Sequence, residues 1–131
     1  MTTARIAEQI VIEAPTKVGL LAEVTTALLG AGVNVTAIMG HDMGAGAEIV
    51  VVTDDNERAL EALRRTGVTV RIEPVVVMTM PDEVGALNEA AQRIAEAGVN
   101  IGWMYASVAA DSSDVTVVFH TANDEKVVSE F

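Results

Sequence analysis

The stretch PTKVGLLAEVTTALLGAGVN at residues 15–34 returns as PDEVGALNEAAQRIAEAGVN at residues 81–100. Pro15, Val18, Gly19, Leu21, Glu23, Ala31, Gly32, Val33 and Asn34 match Pro81, Val84, Gly85, Leu87, Glu89, Ala97, Gly98, Val99 and Asn100, nine identities in twenty ungapped positions at an offset of 81 − 15 = 66. Val51-Val52 recurs at the same distance as Val117-Val118. Self-similarity at one fixed period marks a duplicated structural unit, so the chain reads as two copies of one fold.

Outward from this stretch, each copy resolves into alternating element types. Residues 8–14 and 75–80 are rich in β-formers and stop at Pro15 and Pro81, which cannot donate to a ladder. Helices are expected next, with Thr16 and Asp82 as N-caps and apolar stripes Leu21, Val24, Leu28 and Leu87, Ala91, Ile94 at helical spacing. Gly32 and Gly98 close them. Second strands are expected over 33–41 and 99–109, third strands over 48–53 and 114–120, with turns at 44–46 and 111–113. Asp54-Asp55 then opens a helix with Ala59, Leu60 and Leu63 inside, Gly67 ends it, and residues 69–73 make a fourth strand. The element order is βαββαβ, with Pro74 at the boundary between repeats.

The second copy is shorter. Asn123-Asp124-Glu125-Lys126 parallels Asp55-Asn56-Glu57-Arg58, Phe131 takes the place of Leu63, and the chain stops before a fourth strand. Thr3, Arg5 and Ile6 lie 66 residues before Thr69, Arg71 and Ile72. Residues 2–7 are therefore expected to form an extra N-terminal strand that fills the vacant edge of the second repeat or of a neighbouring chain, since a bare sheet edge invites aggregation. The domains are expected at 1–73, extra strand included, and 74–131.

Bulk properties narrow the function. Eight basic and nineteen acidic residues among 131 give a net charge of −11, shared by both halves. Phosphate binding needs clustered Lys and Arg, so nucleic acid is a poor partner. There is no Cys, which excludes disulfides and thiolate chemistry, and two isolated imidazoles, His41 and His120, do not suggest a zinc site. No metal or cofactor is expected. The longest apolar run, 75–80, falls far short of the ~18 residues that cross a bilayer, so no membrane role and a cytoplasmic location are expected. Ser107, Ser112, Ser113 and Ser129 sit in no nucleophile motif, and the chain is not expected to be an enzyme.

The strand, the turn ending in Gly19 or Gly85, the helix with Leu21 or Leu87 and the Ala-Gly-Val-Asn that follows resemble the ACT domain. The likeness extends over both repeats and is greatest to stand-alone proteins of two ACT domains. It implies an α+β fold of two ferredoxin-like βαββαβ repeats, antiparallel sheets with helices on one face, the second lacking its last strand. It also implies an amino-acid-binding regulatory module that dimerises or docks on a metabolic enzyme. Effectors of that family lie between two domains, at the loop before the first helix of one and the start of the second strand of the other. The matching positions here are Thr16, Lys17, Val18, Gly19 and Leu20 with Asn34 and Val35, and Asp82, Glu83, Val84, Gly85 and Ala86 with Asn100 and Ile101. This chain departs from the family where Thr16 replaces a frequent Asp and where Val18 and Val84 replace a Pro.

The chemistry of the residues agrees with that reading. Amides in a first helical turn favour a carboxylate, glycine admits the ligand to the backbone, and Asn34, Asn100 or Asp82 offer acceptors to an ammonium. Of the two loops, 82–86 is the preferred site. The plainer readings are that both glycines serve tight turns only and that both asparagines bridge helix to strand. Trp103 and Tyr105 are expected to pack on a helix or a partner rather than stack a ligand. His41 and His120 are expected in solvent or in loops, and the methionines as gap fillers. The alternative function is a protein-interaction subunit that binds no small molecule.

Overall fold

Two left-handed glycines set where the helices begin. In the computed structural model, which describes residues 1–108 and 110–131, Gly19 (φ 87°) and Gly85 (φ 93°) are the N-caps of α1 (Leu20–Gly30) and α3 (Ala86–Glu96). Between each proline and its glycine the chain makes a tight turn, in which Leu20 N donates to Lys17 O at 3.4 Å and Ala86 N to Glu83 O at 3.2 Å. The remaining elements are β1 (Thr3–Ala14), β2 (Val35–Asp42), β3 (Ala47–Thr53), α2 (Asn56–Arg64), β4 (Thr69–Pro81), β5 (Ile101–Val108), β6 (Asp114–Thr121) and α4 (Asp124–Ser129). Ala109, the last position of the expected second strand of the second repeat, lies outside the described residues.

The chain divides into two compact units, Glu8–Glu73 and Met1–Ala7 with Pro74–Phe131. We call them the first and second units. The first has the strand order β2-β3-β1-β4, antiparallel, with Ile10 opposite Val51 and Ile38 opposite Val51 from the other side. Alternation along β1 and β3 sends Ile10, Ile12, Ile49 and Val51 to one face, where Leu20, Val24 and Leu28 of α1 and Ala59 and Leu63 of α2 meet them. Val11, Val50 and Val52, which alternate with them along the strands, are buried on the other face.

The second unit repeats this plan with residues of β1 beside β4, then β6 and β5. Val76 faces Phe119 and Tyr105 faces Val118 in antiparallel register. Val76, Met78, Met80, Val117 and Phe119 face Ala90 and Ile94 of α3 and Val127 of α4, with Ala4 packed against the same cluster. Phe131 joins that core, and the Arg93 guanidinium lies 4.3 Å over its ring. Both units are ferredoxin-like α+β folds, antiparallel sheets with helices on one face.

Several details differ from the sequence reading. Thr16 and Asp82 do not cap the helices, because the turn after each proline delays the helix to residues 20 and 86. That delay changes the buried phase: Leu20, Val24 and Leu28 are buried in α1, Ala90 and Ile94 in α3, while Leu21 is 55% and Leu87 48% exposed and Ala91 is exposed. Pro74 does not interrupt β4. The ladder to β6 covers residues 76–81, so Pro74 sits outside it and costs that ladder no donor. His41 lies on β2 and is exposed, in line with the expectation of solvent, whereas His120 is half-buried on β6 and stacks on Trp103 with ring centroids 5.4 Å apart.

Candidate functional site

The loop before α1 is built by one backbone conformation and little else. A Cβ placed on Gly19 would meet nothing within 4 Å, so the position requires glycine for its left-handed φ rather than for lack of space. With glycine as cap, no side chain takes the amides of the first turn. Val18 stands fully exposed beside them. Thr16 Oγ1 donates to Asp42 Oδ1 at 3.2 Å, tying the loop to the end of β2, and Lys17 Nζ pairs with Glu23 Oε2 at 2.6 Å. Leu20 is buried under the turn.

The loop before α3 has the same backbone and different chemistry. Gly85 again meets nothing within 4 Å where a Cβ would be, no side chain caps α3, and Val84 is fully exposed. Asp82 N donates to Ser113 O at 2.9 Å, and the Asp82 and Glu83 side chains are exposed where the first loop has Thr16 and Lys17. Ala86 is partly buried against the second core.

The asparagines sit at the far ends of the same helices. Asn34 N donates to Asp54 Oδ1 at 2.9 Å and Asp54 N to Asn34 O at 3.1 Å, while Asn100 O accepts from Ala122 N at 3.0 Å. Val35 and Ile101 start the second strands, opposite Thr53 and Thr121, and both pack against their unit's core. Eleven helical residues separate Gly19 from the end of α1, about 16 Å at 1.5 Å per residue. Within one unit, therefore, the glycine loop and the asparagine do not come together around one small molecule.

The structure also shows a groove that the sequence reading left out, although Leu20 on its wall was among the expected site residues. On the first unit, Leu20, Leu21, Ile38, Gly40, Ala47 and Ile49, with Met39 and His41, line a groove of about 410 Å3 between the start of α1 and the outer strand β2. Ile38 and Gly40 share a strand face by their spacing of two, and an isolated glycine within a strand was the available signal. His41 Nε2 lies 3.3 Å from Glu48 Oε1 across the strand pair. Among the described residues there is no group of three His, Asp or Glu placed to hold a metal ion, and no helix long and apolar enough to cross a membrane.

Known proteins share this fold. Residues 9–67 match the family model of the ACT domain. No curated protein matches the chain. Among solved structures, protein BT0572 from Bacteroides thetaiotaomicron aligns with a TM-score of 0.87 at 27% identity, over 97% of this chain and 87% of that one. The regulatory subunit of aspartate kinase from Thermus thermophilus, in its ligand-free form, aligns at 0.71 and 19% identity, over 97% and 93%. Its counterpart from Thermus flavus aligns at 0.65 and 22%, over 98% and 94%. The two kinase subunits share the fold with this chain.

Proposed function

We propose that this chain is a non-catalytic regulatory module of two ACT-type repeats that binds a free amino acid, the site being completed by a unit of a second copy of the chain. The observation that carries the reading is the twice-built helix start. Gly19 and Gly85 both present uncapped first-turn amides, and both are flanked by a fully exposed valine. Such amides and the positive helix end accept a carboxylate. Thr16, Lys17, Val18, Gly19 and Leu20 then form one half-site, and Asp82, Glu83, Val84, Gly85 and Ala86 the other. Asn34 and Val35 or Asn100 and Ile101 of a facing unit supply acceptors for the ammonium.

The ACT match over residues 9–67 and the fold shared with aspartate kinase regulatory subunits support regulation of a metabolic enzyme. Exposed apolar residues support dimerisation. Val18, Leu21 and Ile38 have their offset-66 counterparts in Val84, Leu87 and Met104, and all six stay exposed around the helix starts and outer strands. Apolar side chains grouped in this way mark interaction surfaces.

The test is a thermal melt of the full chain against each of the twenty amino acids. One or a few should raise the transition, since a ligand at 100 times its Kd adds about 2.7 kcal/mol. The same apolar residues favour a second reading, an interaction subunit with no small-molecule ligand, and a melt unmoved by every amino acid would select it.

A further inference from the structure

The groove beside α1 has a chemistry of its own. Of the residues that line it, His41 alone has a polar side chain; Leu20, Leu21, Ile38, Ala47 and Ile49 present hydrocarbon, and no carboxylate, ammonium or guanidinium reaches it. Its floor is open at Gly40. A Cβ there would stand 3.5 Å from Ile49 Cγ1 and 3.8 Å from Glu48 O, ordinary contact distances, so the strand would hold a larger residue without backbone clash. The position that matches Gly40 in the second unit carries a side chain, Ala106. The missing side chain at Gly40 therefore adds space that the duplicated position does not have.

Leu20 and Leu21 are both the first residues of α1 and part of the groove wall. A carboxylate held by the first-turn amides places its own side chain within one residue of the groove mouth. Resting on the proposed amino-acid-binding function, we infer that the groove over Gly40 takes the ligand's side chain and that the ligand is an aliphatic amino acid. A charged side chain would give up its water there for the His41 imidazole alone, which Glu48 Oε1 already approaches at 3.3 Å, whereas hydrocarbon exchanges water for hydrocarbon. The groove thus sets specificity, while the helix start supplies attachment common to every amino acid.

The experiment is calorimetric titration of the full chain with leucine, isoleucine, valine and methionine, and with threonine, lysine and aspartate, repeated on Gly40→Val. The expected result is aliphatic binding at least about tenfold tighter than threonine, the size of preference a few apolar groups give. Gly40→Val is expected to weaken that binding at least tenfold with no loss of melting temperature, because valine suits a strand. Should Gly40→Val fail to fold by circular dichroism, Ile38→Thr at an exposed strand position serves instead, with the same loss expected. Threonine, lysine or aspartate binding as tightly as the aliphatic set would overturn the inference and leave the amino-acid function standing. No binding by any of the seven would overturn the inference, and silence from all twenty amino acids would overturn the function with it. A Gly40→Val chain that changes mass by light scattering but keeps its affinity would make the groove a subunit contact and overturn the inference.

Discussion

The two helix starts share a backbone and the Pro, Val and Gly that frame the turn, and differ in the two residues after each proline. Before α1 the turn carries Thr16 and Lys17, bonded to Asp42 and Glu23; before α3 it carries Asp82 and Glu83, both exposed. The cores diverge in the same way. The first unit has no aromatic residue and is filled by Ile, Leu and Val, whereas Trp103, Tyr105, Phe119 and Phe131 all belong to the second. Duplication has kept what the turn requires, a left-handed glycine and an exposed valine, and left the chemistry around it free to change. The two turns therefore differ in charge on one backbone frame.

The comparison can be tested first in the cores. Phe119→Ala should cost about 3–5 kcal/mol and Leu28→Ala about 2–5 kcal/mol, both sites being fully buried. Trp103 is the single tryptophan, stacked 5.7 Å from Tyr105, and its fluorescence reports on the second unit alone. Because β1 and β4 each contribute residues to both units, Leu28→Ala should lower the Trp103 transition together with far-ultraviolet dichroism. A Trp103 transition left in place would show that the units melt separately.

The helix starts come next. Gly19→Ala and Gly85→Ala should each cost about 1–2 kcal/mol in chemical denaturation, and by equal amounts, since no neighbour crowds either site and only the φ penalty acts. Unequal costs would show that the matched backbones bear different loads. Smaller again is the cap of α2, where Asp55 accepts from Arg58 N at 3.1 Å; Asp55→Ala should lose about 1 kcal/mol. Smallest is Lys17→Ala. Its ion pair with Glu23 is exposed and should contribute less than about 1 kcal/mol, fading in high salt.

The order of elements was legible in the sequence because its punctuation is physical. Gly19 and Gly85 occupy left-handed turns, Asp55 caps α2, and Ala59 and Leu63 face inward from it, all as their types and spacing imply. The phase of α1 and α3 was legible only in part: Val24, Leu28 and Ile94 are buried as their spacing implies, whereas Leu21, Leu87 and Ala91 are exposed. Thr16 and Asp82 are good caps by type, but a proline turn intervenes, and the three or four residues it consumes rotate the stripe from Leu21 to Leu20 and from Ala91 to Ala90. Pro74 likewise reads as a breaker until the pairing register shows that the ladder to β6 begins two residues later. The groove was hidden for a related reason. Leu21 and Ile38 come together only through the packing of α1 on the sheet, and Gly40 gains meaning only once Ile49 is seen beneath it.

The account depends on amides at two glycine-capped helix starts holding a free amino acid, and calorimetric titration of the wild-type chain beside a Gly19→Asn/Gly85→Asn double variant tests this most directly. Asparagine tolerates the left-handed conformation but places a side chain in the ligand's path. Saturable heat with one or a few amino acids, lost in a double variant that still folds, is the result predicted here; a wild-type chain that gives no heat, or a double variant that binds as the wild type does, would contradict it.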